Sequence, residues 1–201
     1  MFITFEGLDG CGKTTQMRRL GERLRAMGRR VVESAEPGGT TIGAQIRGVL
    51  LDSANHRMSP IAEMLLYFAS RAQAVDEVIR PALQAGSIVL SDRFTDSTLA
   101  YQGCGRGLGA NAVAALDHIA CGGLKPDLTL LLDIDVETGL ARAQARRADR
   151  MEEQDAAFYA RVREAYATLA AREPSRIRTI DARASIEEVA ERVWEAVRPY
   201  V

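Results

Sequence analysis

The sequence predicts an α/β fold. A single three-layer domain places a five-stranded parallel sheet between helices. Three observations carry this expectation. Short apolar runs alternate with longer amphipathic ones along all 201 residues, the pattern of βαβ units. The first apolar run enters a glycine-rich loop that opens directly into a helical pattern. The length, with 47% hydrophobic and 26% charged residues, suits one globular domain around one core.

The elements follow in order. Phe2, Ile3 and Phe5 make a strand at 2–6, and Met17, Leu20 and Leu24 share one side of a helix at 13–27 that Gly28 ends. Further strands are expected at 30–34, 87–91, 127–133 and 177–181. Helices are expected at 41–52, 59–85, 95–102, 109–121, 136–146, 153–172 and 185–197. Ser59 followed by Pro60 is a cap-then-proline start, and Gly86 closes that long helix. Ser185 with Glu188 fits a capping box. No internal repeat or linker divides the chain, so residues 1–201 read as one domain.

Bulk properties exclude several classes. A net charge of −1 gives no reason to expect nucleic acid or membrane as a partner. No run of 18 apolar residues exists, and the start Met1-Phe2-Ile3-Thr4-Phe5-Glu6 lacks the basic region of a signal peptide. Cys11, Cys104 and Cys121 are odd in number and far apart, which suggests free thiols in a reducing cytoplasm and no zinc site.

Gly7-Leu8-Asp9-Gly10-Cys11-Gly12-Lys13-Thr14 fits G-x-x-x-x-G-K-[ST], the phosphate-binding P-loop, in the strand–loop–helix setting that motif needs. Glycines let successive N–H groups point at one anion, and the helix N-terminus adds its positive end. These residues and Thr15 are the expected nucleotide site. Lys13 reaches the β- and γ-phosphates, and the Thr14 hydroxyl ligates Mg²⁺. Asp92 ends a buried strand, where P-loop proteins place a carboxylate that supports the metal. No N-K-x-D motif for a GTPase is found, and a motor or AAA-type ATPase is normally longer. A short P-loop domain with an arginine-rich stretch (Arg142, Arg146, Arg147, Arg150) suggests a nucleotide or small-metabolite kinase, which must gather cations around two repelling phosphates. The expected fold is thus the P-loop NTPase fold in its nucleoside monophosphate kinase-like form.

Phe5-Glu6-Gly7-Leu8-Asp9-Gly10-Cys11-Gly12-Lys13-Thr14-Thr15-Gln16, Glu36-Pro37-Gly38-Gly39-Thr40, Leu65 to Arg71, Asp92 to Gly103, Pro126 to Asp133 and Asp149-Arg150-Met151-Glu152 resemble, in order along the chain, motifs of the bacterial thymidylate kinase family. The segment Phe5 to Gln16 resembles its P-loop and Glu36-Pro37-Gly38-Gly39-Thr40 its E-P-G-G-T loop. Leu65 to Arg71 resembles the acceptor-base helix. Asp92-Arg93-Phe94-Thr95-Asp96-Ser97-Thr98-Leu99-Ala100-Tyr101-Gln102-Gly103 resembles the D-R-Y-x-D-S-x-x-A-Y-Q-G segment. Pro126 to Asp133 resembles the P-D-L-T-x-x-L-D strand, and Asp149-Arg150-Met151-Glu152 the D-R-x-E of the lid.

The resemblance implies transfer of the γ-phosphoryl of ATP to dTMP, with Mg²⁺, by a homodimer. It implies that Asp9 approaches the acceptor 3′-hydroxyl or the magnesium shell. Arg71 and Arg93 grip the acceptor phosphate, where guanidinium forks suit phosphate oxygens. Tyr67 stands where the family stacks an aromatic on thymine, with Phe68 in the core. Glu36, Pro37 and Ser97 complete the acceptor site. Arg71, Thr98 and Gln102 are candidates for the base edge, and Tyr101 packs under the sugar. Discrimination against dUMP is expected to be modest, since one methyl in an apolar pocket is worth about 1–3 kcal/mol.

The P-loop carries no arginine, which resembles the type whose catalytic arginine comes from a mobile lid at about 142–153. Arg150 is the first candidate, then Arg146 or Arg147, while Arg142 stacks on adenine. The alternative use of the scaffold is another deoxynucleotide or small-metabolite kinase. A non-enzymatic nucleotide switch is disfavoured by the complete set of Lys13, Thr14, Asp92 and lid arginines. Cys11 replaces a usual small alanine and reads first as a tolerated small residue; the alternative, from its place beside a helix N-terminus, is thiolate character, with alkylation blocking ATP binding. The apolar run 61–68 with the long helix around it serves either as the dimer contact or as part of the core; the sequence leaves both readings open.

Overall fold

The computed structural model describes residues 1–144, 150–151 and 154–201. Five parallel strands form one sheet in the order β2-β3-β1-β4-β5: β1 (Phe2–Glu6), β2 (Val31–Ala35), β3 (Ile88–Asp92), β4 (Leu128–Asp133) and β5 (Ile177–Asp181). β1 is central and buried throughout, which explains its near-continuous apolar sequence. Its alternate residues serve opposite faces. Ile3 and Phe5 join one core with Leu90, Leu128 and Leu130, while Phe2 packs with Val89 and Phe94 in another. All five strands run with their C-terminal ends toward one edge, where the loops gather.

The helices are α1 (Lys13–Ala26), α2 (Thr41–Leu51), α3 (Pro60–Ala74), α4 (Arg80–Gln84), α5 (Thr95–Thr98), α6 (Ala110–Cys121), α7 (Val136–Gln144), α8 (Ala156–Arg172) and α9 (Ile186–Val197). Every expected element has a counterpart among the described residues, most with ends shifted by a few residues; the expected helix ends at 146 and 153 lie outside those residues. β2 and β3 each begin and end one residue later than expected, so that Asp92 is itself the last residue of β3.

The expected helix at 59–85 is interrupted. A π-turn at Val75–Ile79 separates α3 from α4. Pro81 offers no N–H and crowds the carbonyl of the preceding turn, and a widened turn just before it relieves that conflict. The expected helix at 95–102 is a short α5 continued by a π-turn at Leu99–Gly105. α8 starts later than expected because Asp155 caps it, accepting from the Phe158 N–H at 2.7 Å. Ser59 caps α3 ahead of Pro60, and Ser185 with Glu188 forms the capping box of α9. Gly28 (φ 78°) and Gly86 (φ 74°) adopt the left-handed conformation just past α1 and α4.

Candidate active site

The loop between β1 and α1 curls through Gly7 (φ 133°), Gly10 (φ 79°) and Gly12 (φ 94°). Gly7 is required twice over. Its φ suits only glycine, and a Cβ there would lie 2.4 Å from the Leu132 carbonyl oxygen. The Lys13 ammonium donates to the carbonyls of Leu8 (2.8 Å) and Gly7 (3.2 Å), which holds it inside the loop. A cavity opens over this loop. Gly10, Gly12, Lys13, Thr14 and Thr15 line it together with Asp92, Arg93 and Arg142. Glu36, Pro37, Gly38 and Arg47 close its far side. The Thr14 hydroxyl donates to the Asp92 carboxylate, which unites the two expected metal ligands from different elements. Two hard oxygens on the wall of a phosphate cavity fit Mg²⁺, which takes one or two protein oxygens and completes its shell with phosphates and water. Among the described residues there is no cluster of three or more His, Cys, Asp or Glu that could hold a metal.

Asp9 is an acid in an anion-binding loop, and the structure neutralises it. Arg93 donates to Asp9 Oδ1 at 2.5 Å and the Tyr101 hydroxyl donates to Oδ2 at 3.0 Å. Burial alone would push the Asp9 carboxyl up, but the Arg93 and Lys13 cations outweigh it and hold it below its ordinary range. Arg93 also donates to the Gly7 carbonyl (3.1 Å) and Ser97 Oγ (3.0 Å). Its guanidinium lies over the Tyr101 ring, 4.8 Å from the centroid. Its backbone sits at φ 74°, the one non-glycine residue with positive φ among those described. Such a conformation persists only where the surroundings impose it. Here the Arg93 N–H donates to the Phe5 carbonyl (3.0 Å) and the Phe94 N–H to Glu6 Oε1 (2.7 Å).

Glu6 is fully buried and also accepts from Ser97 Oγ and, at 2.9 Å, from the Tyr166 hydroxyl. Burial first, and then the Asp96 charge, push its carboxyl up to about 7 against the lowering by Ser97, Arg93 and Tyr166. Its folded pKa therefore lies above its unfolded one, near 4.5. The stability it contributes is complete below that value and is lost as pH rises through about 7. Glu6→Gln removes the titration. The Tm advantage of the native protein over this variant is expected to shrink by several degrees between about pH 4.5 and pH 8, read by calorimetry. A pH-independent difference would contradict the assignment.

A second cavity adjoins the first across Asp9, Glu36, Pro37, Arg47 and Arg93. Tyr67, Arg71, Ser97, Thr98, Tyr101 and Gln102 line it, so the structure gathers the whole expected acceptor set. Arg71 is 1% exposed; its Nε donates to Glu36 Oε2 at 2.5 Å and its Nη2 to the Phe94 carbonyl at 3.2 Å. Arg71 Nη1, Glu36 Oε1 and Thr98 Oγ1 are buried without a hydrogen-bond partner. All three belong to residues lining this cavity. Buried polar groups are rarely left so, and three around one cavity mark it as built for a polar ligand. Phe68 is buried beside Met64 and Val113, as expected of a core residue.

Some expectations are corrected. Arg150 does not line the phosphate cavity. It is 4% exposed, with Nη2 2.7 Å from Glu63 Oε2 and Nε donating to the Leu50 carbonyl at 2.7 Å. A buried carboxylate and a helix-end carbonyl outcompete solvent for its donors, so it ties the lid segment to α2 and α3. Arg146, Arg147, Asp149, Glu152 and Glu153 lie outside the described residues, and with them most of the expected lid. Arg142 does reach the phosphate cavity, with Nη1 3.4 Å from the Ala182 carbonyl. Leu8 and Cys11 turn their side chains into the core, leaving only their backbone for a phosphate. Burial raises the Cys11 thiol pKa despite the neighbouring Lys13 and Arg93 charges, which favours the plain small-residue reading over thiolate character.

Several residues here were not anticipated. Arg47 lines both cavities and donates to the Pro37 carbonyl at 2.9 Å. Its spacing from Gly43 and Leu50, both buried on α2, was a periodic signal that could have found it. Glu6, Glu63 and Tyr166 carried no local motif. Their partners come from distant elements.

A P-loop on a five-stranded parallel sheet, with an arginine-lined cavity beside it, defines the class of small P-loop phosphotransferases, which move a phosphoryl group from one nucleotide to another. The thymidylate kinase family model matches residues 5–193. A thymidylate kinase of Pelobacter propionicus is 51% identical over 199 residues, covering 96% of this chain and 91% of the relative. One from Synechococcus sp. (strain JA-2-3B'a(2-13)) is 53% identical over 199 residues, covering 99% and 95%. The crystal structure of thymidylate kinase from Ehrlichia chaffeensis superposes with a TM-score of 0.81 at 33% identity, covering 98% of each chain. The chain belongs to the thymidylate kinase family.

Proposed function

We propose that this protein transfers the γ-phosphoryl group of ATP to dTMP, giving dTDP and ADP, as one step of dTTP synthesis. The observation that carries the reading is the union of two cavities at Asp9 and Arg93. The P-loop side suits a triphosphate, and the orphaned donors and acceptors of the other suit a pyrimidine monophosphate.

The division of labour follows from position. The loop amides, Lys13 and Thr15 hold the donor phosphates, and Arg142, near the Ala182 carbonyl, flanks the adenine. Thr14 and Asp92 hold Mg²⁺, which neutralises phosphate charge when bound. Arg93 and Arg71 meet the acceptor phosphate and base, and Tyr67 lies against the thymine ring. Tyr101 stands beneath the sugar. Asp9, kept ionised by Arg93, faces the acceptor. Arg93 lies where both cavities meet, bonded to Asp9 and to the Gly7 carbonyl of the P-loop, and offsets charge on the transferring group. Positioning and charge neutralisation carry the rate.

We place a second copy of the chain against α3. Ile61 and Leu65 are exposed one turn apart there, with Ile42 and Val49 on α2 and Ile119 on α6 exposed on the helices packed beside it. No described helix is long and apolar enough to cross a membrane. The setting inferred is the cytoplasm, which suits three free cysteines.

ADP release with Mg-ATP against dTMP, dUMP, dCMP, dGMP, UMP and CMP tests the reading. Strong turnover on dTMP, weaker turnover on dUMP and little on the rest is expected. Turnover on another monophosphate alone would favour a different acceptor on the same scaffold.

A further inference from the structure

We infer that Glu63 is a specificity-determining positioning residue: it fixes the rotation of the Gln102 amide so that the Gln102 carbonyl oxygen, not its NH2 group, meets the pyrimidine edge. The inference rests on the dTMP reading of the acceptor cavity and adds to it the group that sets the hydrogen-bonding sense of one wall.

Glu63 lies on α3 one turn before Tyr67 and is 1% exposed. Its Oε1 accepts from Gln102 Nε2 at 2.8 Å and Arg106 Nε at 3.2 Å. Its Oε2 accepts from Arg106 Nη2 at 3.1 Å and pairs with Arg150 Nη2 at 2.7 Å. Two guanidinium groups on one buried carboxylate keep it charged. Burial pushes its pKa up, but the hydrogen bonds from Arg106 and Gln102 outweigh burial and hold it below its ordinary range. An ionised carboxylate only accepts hydrogen bonds. Gln102 can therefore turn only its NH2 group toward Glu63, because the reverse orientation would set two acceptors together. Gln102 is 2% exposed and lines the acceptor cavity. Its carbonyl oxygen is the group left for a ligand.

Arg71 Nη1 supplies the opposite function. It is a buried donor without a partner at the same cavity, and a guanidinium cannot accept. One fixed donor and one fixed acceptor require a ligand edge that carries an acceptor beside a donor. Thymine and uracil carry a carbonyl beside N3–H. Cytosine carries an amino group beside a bare ring nitrogen and inverts both. Binding it would leave both wall groups buried and unpaired, and polar sites reject mismatched ligands strongly for this reason. Arg150 joins the same carboxylate and also donates its N–H to the Leu51 carbonyl at 3.2 Å. The lid anchor and the base-reading amide thus share one acceptor.

The test compares kcat/KM for dTMP and dCMP in the native enzyme, Glu63→Gln, Gln102→Met and the double variant. A glutamine at 63 offers both a donor and an acceptor, which frees Gln102 to present either group. The dTMP-to-dCMP ratio is expected to fall about tenfold or more in Glu63→Gln. In the Gln102→Met background, which lacks the amide, adding Glu63→Gln is expected to change the ratio no further. An unchanged ratio in Glu63→Gln, or an equal fall in both backgrounds, would overturn the inference.

If Glu63→Gln does not fold, the native protein decides. Its Gln102 side-chain NH2 signal, assigned in ¹⁵N NMR by its loss in Gln102→Met, is expected to be protected from exchange and little moved by dTMP. Rapid exchange, or a large shift on dTMP binding, would overturn the inference. A native enzyme that uses no dTMP at all would overturn the functional reading instead.

Discussion

Arg93→Ala is expected to lower kcat by about 10³-fold or more, the scale of an arginine that neutralises charge in phosphoryl transfer. The effect has two parts. The first is loss of a guanidinium at the junction of the two cavities. The second is release of Asp9, whose Oδ1 accepts from Arg93 at 2.5 Å. Without that partner a carboxylate faces incoming phosphates, so repulsion adds to the lost attraction. Arg93→Lys restores charge but not the fork that reaches Asp9, Gly7 and Ser97 together, so it recovers only part of the loss. Steady-state kinetics on folded variants, confirmed by circular dichroism, would decide the matter. A kcat within about tenfold of the native value in Arg93→Ala would remove Arg93 from the central role given to it.

Glu36→Ala is expected to produce the largest loss of stability. Glu36 and Arg71 pair at 2.5 Å with both side chains 2% exposed. Removing the acid strands a guanidinium that is fully charged and sealed from water. Breaking a buried pair from one side costs about 3–5 kcal/mol, which in a domain of this size lowers Tm by roughly 6–20 °C. The double variant Glu36→Ala/Arg71→Met removes the stranded charge and should recover much of that loss, though not acceptor binding. Calorimetry of the three proteins reads this directly. Equal Tm values for Glu36→Ala and the double variant would mean that the stranded charge was not the cause.

How much of this was legible in the sequence depended on whether the signal was local. The P-loop and the capped starts of α3 and α9 were readable because their causes lie within a few residues: glycine φ, a proline at N1, and a serine answered by glutamate. The π-turn before α4 was not, although Pro81 stood in plain view, because a proline signals disruption without saying whether the helix ends or widens. The residues proposed for the acceptor were named through their motifs, and they line one cavity. The seat of Arg150 was not legible, for a physical reason. Its partner Glu63 lies 87 positions earlier in the chain, and no pattern near Arg150 shows that a buried carboxylate waits for it. The same is true of Glu6, whose three partners come from the β3–α5 turn, α5 and α8.

The central claim is a transfer between two nucleotides, and the fate of the γ-phosphoryl group tests it most directly. Incubating the protein with γ-³²P-labelled ATP, Mg²⁺ and dTMP, then separating the products, is expected to show the label in dTDP in one-to-one ratio with ADP. Label appearing as inorganic phosphate, at a rate indifferent to dTMP, would contradict the account and describe a slow nucleotide hydrolase on the same scaffold.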